Sequence, residues 1–137
     1  MRKMTLLIAI LAGCAAVQAA APAMSRGGVL ADDKGMTLYV FTRDGVNASN
    51  CYDGCAKAWP PYLAAAGASK AADFSIVERR DGSRQWAFKG QPLYYFAGDA
   101  APGDRAGDGS GSVWFAVRDK AAAKAPAATG GYPGTTY

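Results

Sequence analysis

The string K-G-x-x-L-Y-x-F-x-x-D occurs twice in this chain. KGMTLYVFTRD begins at Lys34 and KGQPLYYFAGD at Lys89, and the copies agree at Lys34/Lys89, Gly35/Gly90, Leu38/Leu93, Tyr39/Tyr94, Phe41/Phe96 and Asp44/Asp99. A chain that spells one turn-and-strand unit twice is expected to build a pseudo-symmetric core from it. Each copy has glycine where a hairpin turn can need positive φ, then a strand whose Tyr and Phe, two apart, share one face. The aspartate falls at the strand end, where its carboxylate can accept backbone N–H bonds in an Asx turn, and Asp44-Gly45 is a ready turn. Scaffold accounts for each of these residues. In the functional alternative, Tyr39, Tyr94 and the two aspartates converge in a groove that binds a glycan, peptide or ion.

Both ends of the 137 residues differ from the middle. Residues 1–13 read as an export signal, with basic Arg2 and Lys3 followed by an apolar run from Leu6 to Leu11 that is too short to span a bilayer as a helix. LAGC, ending at Cys14, has the form of a lipobox, which would make Cys14 an acylated first residue. VQA, ending at Ala19, offers an ordinary signal-peptidase cut instead. Residues 14–26 then read as a flexible tether and 27–119 as one β domain. Residues 120–137, rich in Ala, Pro, Gly and Thr, read as a disordered tail, because so few large apolar side chains cannot offset the entropy of ordering.

The domain is expected to be mainly β: about six short, mostly antiparallel strands plus one short helix. GGVLA, the turn DDKG and MTLYVF form the first hairpin. In LYVF, Leu38 and Val40 face one side and Tyr39 and Phe41 the other, as in a strand covered on both faces. FSIVERR, RQWAF and LYYF form a meander joined by DGS and KGQP, and VWFAV is the last strand. The expected core is Tyr39, Phe41, Trp59, Phe74, Ile76, Trp86, Phe88, Tyr94, Phe96, Trp114 and Phe115.

After export two cysteines remain, Cys51 and Cys55, in NCYDGCAKAWPPY. In an oxidising compartment an even pair usually closes, and this spacing can reach disulfide range across a distorted turn. A short helix is expected near Cys51–Ala58, with Asn50 as its N-cap and Asp53 in its first turn, ending at Pro60-Pro61. Trp59, beside two prolines, folds back onto the core. The alternative use of the pair is a dithiol that binds Cu(I) or shuttles electrons.

Histidine is absent, which removes Ser-His-Asp and Cys-His catalysis, His-ligated metals and covalent c-type haem. The net charge of +4 shrinks once Arg2 and Lys3 leave, since 13 basic residues then face 11 acidic ones. No basic cluster exceeds Glu78-Arg79-Arg80, so nucleic acid is not an expected partner. Asp99, Asp104 and Asp108 lie in a Gly/Asp-rich loop that suggests calcium but lacks the alternate-position ligands and closing Glu of an EF-hand. Asp44 and Asp99 would make a hydrolase carboxylate pair only if folding placed them close together.

With Y-x-F-x-x-D twice, C-x-x-x-C-A-x-x-W-P-P, and an ending of the form PGD…GDG…W, the chain resembles the bacterial predicted lipoproteins and secreted proteins that carry a Y-x-(F/W/Y)-x-x-D repeat of unknown function. The resemblance covers about Gly27–Arg118. It implies that Tyr39, Phe41, Asp44, Tyr94, Phe96 and Asp99 are the repeat residues, with Cys51, Cys55, Trp59, Pro60 and Pro61 between them and Trp114 near the end. No cysteine pair follows Asp99, so the copies are not equivalent there. The combined expectation is a non-enzymatic, cofactor-free module of the cell envelope. It would be held to the membrane through Cys14, or be soluble in the periplasm or secreted, and would be structural or bind an envelope partner. Redox or Cu(I) handling by Cys51 and Cys55 is the alternative.

Overall fold

The computed structural model describes residues 21–118; Cys14 and the tail 120–137 lie outside them. In chain order the elements are β1 (Met24–Arg26), β2 (Val29–Ala31), β3 (Tyr39–Phe41), α1 (Gly54–Ala58), β4 (Phe74–Glu78), β5 (Arg84–Phe88), β6 (Gln91–Pro92) and β7 (Trp114–Ala116), with one 3₁₀ turn at Ser110–Ser112 before β7. They form three small sheets, β1-β2, β3-β7 and β4-β5-β6, and every strand pair is antiparallel. The fold is therefore mainly β, as the alternation and turn signals suggested, with seven short strands among the described residues.

Turn chemistry sets the hairpins. Gly27 and Gly28 both have positive φ, as do Lys89 and Gly90, so β1-β2 and β5-β6 each close over two residues whose twist matches the strands. This shortens the KGQP turn: Gln91 and Pro92 pair with β5 instead of lying in the loop. LYYF is not one continuous strand, although Tyr94 bridges to Tyr39 and to Pro61. The ordered sheet also begins ahead of Gly27, for β1 lies in the stretch read from sequence as tether, and Ala23 is buried in the core.

The two copies meet at the centre. Tyr39 N–H donates to the Tyr94 carbonyl at 2.8 Å, and Tyr94 N–H donates back to the Tyr39 carbonyl at 2.9 Å. The free edge of each copy's Tyr-x-Phe segment is then filled by the segment that ends the other copy. Tyr39 pairs with Ala116, and Tyr94 with Pro61. Thr42 N–H reaches the Val113 carbonyl and Ala97 N–H the Ala58 carbonyl, both at 2.8 Å. Val117 N–H reaches the Leu38 carbonyl and Tyr62 N–H the Leu93 carbonyl. Each bond repeats its mate with the copies exchanged, at the same spacing that separates Lys34 from Lys89. The halves are thus interlocked: each Tyr-x-Phe segment takes its edge partner from the other half.

The pleat sorts side chains into two apolar clusters. Leu38, Val40 and Leu93 join Leu30, Phe74, Trp86, Phe88 and Val117 in one. Tyr39, Tyr94, Trp59, Trp114, Val29, Cys51 and Ala116 form the other, with Phe41 and Phe96 packed against it. Leu38 and Val40 do face opposite to Tyr39 and Phe41, as alternation requires. Phe115 does not belong to the core: Trp114 and Ala116 point inward on β7, so the residue between them points out and is 37 % exposed. Phe41, Ile76 and Phe96 are half-buried.

Helix α1 covers only Gly54–Ala58 and ends before Trp59 and the two prolines. Its N-cap position is Asp53, without a side-chain capping bond, and no acidic residue occupies its first turn. Asn50 does not cap it. Its N–H donates to Asp44 Oδ1 and its side-chain amide to the Arg43 carbonyl, so it closes the loop after the first repeat instead.

Candidate functional site

Each repeat tyrosine is bonded to the aspartate of the other copy. The Tyr39 hydroxyl donates to Asp99 Oδ2 at 2.7 Å, and the Tyr94 hydroxyl to Asp44 Oδ2 at 2.7 Å. The second carboxylate oxygen is used just as symmetrically: Asp44 Oδ1 accepts Asn50 N–H and Asp99 Oδ1 accepts Ala106 N–H. These acceptors reach six and seven residues ahead. The motif aspartates therefore clamp whole loops, not the two-residue Asx turns that the sequence suggested. Both tyrosines are 0 % exposed. Burial, and then the facing carboxylate, hold both phenols far above their ordinary range. Burial likewise raises the carboxyls of Asp44 and Asp99 against the lowering effect of their hydrogen bonds.

Behind the tyrosines lies a column of rings. Trp59 and Trp114 stack with centroids 4.0 Å apart and planes 2° from parallel. Phe41 stacks on the outer face of Trp114 at 4.3 Å, and Phe96 lies tilted against Trp59 at 4.5 Å. Tyr39 meets Trp59 edge-on at 5.3 Å, and Tyr94 meets Trp114 edge-on at 5.1 Å. Trp59 and Trp114 are separated by the same interval as Tyr39 and Tyr94. They are a third matched pair, a relation that the missing second cysteine pair concealed. Of the two prolines, Pro60 offers its carbonyl to Tyr95 N–H and Pro61 bridges to Tyr94, in an edge segment where a missing N–H is tolerated.

One cation stands inside this arrangement. Arg79 is 4 % exposed and donates to Ser49 Oγ at 2.9 Å, Gln85 Oε1 at 2.8 Å and the Cys51 carbonyl at 2.7 Å. Since Tyr94 spends its proton on Asp44, Ser49 is the donor in the 2.6 Å bond to the Tyr94 hydroxyl. A directed chain thus runs from Arg79 through Ser49 and Tyr94 to Asp44. Sequence reasoning missed Arg79 because Glu78-Arg79-Arg80 has the look of a solvated run. The signal was its place just past β4, where the strand's alternation continues, with Val77 and Arg79 turned inward and Glu78 and Arg80 outward. Tyr52 lies over the guanidinia of both Arg79 and Arg80.

Cys51 and Cys55 are joined in a disulfide, with Cα atoms 5.3 Å apart and Cys51 fully buried. The loop carboxylates are engaged elsewhere, Asp104 with Ala100 and Ala101 N–H, and Asp108 with Arg118 and Ala116 N–H. Among the described residues no group of three or more Cys, Asp or Glu could hold a metal. A shallow cleft of about 140 Å³ beside Phe41, Asp44, Val46 and Gly90 is smaller than the usual small-molecule site.

The twofold division of the chain is also found by comparison with known families. Residues 23–62 and 75–118 each match one family, described as a secreted repeat of unknown function. The chain belongs to this family. Each matched stretch of the secreted repeat carries one opening hairpin, one Tyr-x-Phe segment and one tryptophan of the stacked pair, so the family unit coincides with the structural half. No curated protein and no solved structure matches the chain.

Proposed function

We propose that this secreted repeat is a non-enzymatic module of the cell envelope, structural or partner-binding, held to the membrane by acylation of Cys14. The observation that supports it is the internal use of the motif's tyrosine hydroxyls and aspartate carboxylates. Both tyrosine hydroxyls and all four carboxylate oxygens of Asp44 and Asp99 bond within the domain. A groove built on them would have no free hydroxyl donor to offer a substrate. The opposing indoles and tyrosines serve to hold two halves together, and the outer surface is left to meet a partner.

Two measurements test this. Palmitate labelling of the full chain and of Cys14→Ser decides the anchor; label that does not depend on Cys14 overturns it. Thiol counting on the exported protein decides the role of the cysteines. A module of this kind keeps Cys51 and Cys55 blocked under mild reductant, whereas a pair that opens readily and loads Cu(I) makes the protein a metal or redox carrier.

A further inference from the structure

We propose that the partner this module meets is a second copy of itself, bound by exchange: the first half of each chain closes on the second half of the other. The proposal rests on the partner-binding reading above and names the partner.

The join between the halves does not require that they belong to one chain. Leu30, Leu38 and Val40 meet Phe74, Trp86 and Phe88 in one apolar cluster. Tyr39, Cys51 and Trp59 meet Tyr94 and Trp114 in the other. A half by itself therefore buries neither cluster and leaves the edge of its Tyr-x-Phe segment unfilled. Taken from its own chain or from a second copy, the missing half brings the same bonds and the same buried surface. The two arrangements differ only in the segment that links the halves.

That link is built to open. The first half ends at Ala64, whose N–H donates to the Arg84 carbonyl, and the second begins at Phe74. Residues 65–73 between them carry no large apolar side chain, and most are exposed. Ala68 N–H donates to the Ala65 carbonyl, Ala71 and Phe74 bond to each other, Lys89 N–H donates to the Asp73 carbonyl, and Arg84 Nη2 to the Ala68 carbonyl. Among the described residues, no hydrogen bond of this segment reaches back to the first half. From Ala68 onward it can travel with the second half unchanged, and only the turn at Ala65–Ala68, closed by one bond, has to open. Gly67 sits in that turn at φ +82, with nothing within 4 Å of where a Cβ would lie. Glycine adopts negative φ as readily as this conformation, so the turn is a hinge with two accessible settings.

Closure within one chain also needs length. Ala64 lies beside Arg84 on one edge of β5 and Phe74 beside Phe88 on the other. From strand spacing and rise, that diagonal is about 16 Å. The full link reaches about twice as far, but without residues 66–71 it reaches only about 14 Å. The shortened chain cannot close on itself, whereas in an exchanged pair the two units can shift to suit the link.

A cysteine pair across the join tests the exchange. Thr42 and Val113 stand opposite each other, where Thr42 N–H meets the Val113 carbonyl. In Thr42→Cys/Val113→Cys, oxidation ties a closed chain to itself but ties two exchanged chains together, which a denaturing gel without reductant reads. In the exported protein, refolded over a range of concentrations, the covalent dimer is expected to grow with concentration, and neither cysteine alone should produce it. Gly67→Pro forbids positive φ and should raise the dimer share, while flexible residues inserted after Gly67 should lower it. Deletion of 66–71 should leave the covalent dimer as the sole folded product. A shortened chain that folds as a monomer overturns the proposal. So does a dimer, seen by light scattering, whose cross-link stays within each chain. Should the shortened or proline variant fail to fold, the full-length series decides, and a link that stays within one chain at every concentration refutes exchange. Label that depends on Cys14 alongside such a result would leave the envelope module standing and remove only its self-pairing.

Discussion

The hydroxyl of Tyr39 lies 2.7 Å from Oδ2 of Asp99, sixty residues later in the chain and in the other copy of the repeat. The same bond joins Tyr94 to Asp44. These two contacts cross between the halves at the point where the Tyr39 and Tyr94 backbones pair, so the motif's conspicuous residues are used to join copies.

Tyr39→Phe keeps the ring and its packing against Trp59 but leaves one oxygen of a half-buried carboxylate without its donor. Denaturant unfolding should show a loss of about 1–3 kcal/mol. Asp99→Asn should cost a similar amount, and the double variant should cost less than the sum, because the second change removes a bond already broken. Full additivity would mean that the pair is not coupled.

Arg79 is held by three acceptors on two segments, Ser49 and Cys51 in the loop before α1 and Gln85 on β5. Arg79→Met retains the length and loses every donor, stranding Ser49, Gln85 and the Cys51 carbonyl, and should cost more than about 2 kcal/mol. Arg79→Lys retains the charge but cannot reproduce the planar fork. It should also destabilise, which chemical denaturation would register as a lower midpoint with an unchanged slope.

Gly107 lies under the ring column. A Cβ there would sit 2.5 Å from Trp59 Cη2 and 2.9 Å from Phe96 Cγ. Trp59 is fixed between Trp114 and Phe96 and has no room to withdraw. Gly107→Ala should therefore cost about 1–3 kcal/mol through overpacking. Gly54→Ala, where a Cβ meets nothing within 4 Å, should be neutral or slightly stabilising, since it replaces glycine at the start of α1. Thermal unfolding of the two variants separates these outcomes.

The motif carboxylates should give the stability–pH curve an uncommon slope. Burial raises the carboxyls of Asp44 and Asp99 in the folded protein, so the folded state binds their protons more tightly than the unfolded chain does. Their contribution falls as pH rises from about 4, the unfolded value, through the folded values, and is level above them. Asp108 behaves in the opposite way. Burial pushes its carboxyl up, but the Arg118 guanidinium and the Ala116 N–H outweigh that and hold it below the ordinary range. Its stabilisation is present above the unfolded value and lost as pH falls through the folded one. With Arg118 60 % exposed the pair is worth under about 1 kcal/mol. Asp44→Asn/Asp99→Asn should flatten the first slope, and Asp108→Asn the second, in unfolding measured across the acid range.

Much of this protein was legible in its residues one stretch at a time. The repeat announced two like units, the alternation in LYVF placed Leu38 and Tyr39 on opposite faces, and a lone cysteine pair in the domain had one bond to make. Trp114 could have been matched to Trp59 by counting alone. Asn50, Asp53 and Phe115 misled for a common reason: cap preference and apolarity are weak local tendencies. Asn50 was drawn to Asp44 and Arg43, and Phe115 was turned outward by the inward demands of its neighbours.

The crossing itself was written nowhere in the linear order. Turn chemistry and a two-residue pleat are short-range, so the sequence by itself determined which segments become strands and which faces are apolar. Both copies carry the same pattern, so nothing in the pattern itself says whether an edge is filled by its own copy or by its twin. Only the closed tertiary structure distinguishes the two pairings. The crossed one sends Tyr39 to Asp99 and Tyr94 to Asp44, lays Trp59 on Trp114, and gives every motif hydroxyl and carboxylate a partner inside the domain.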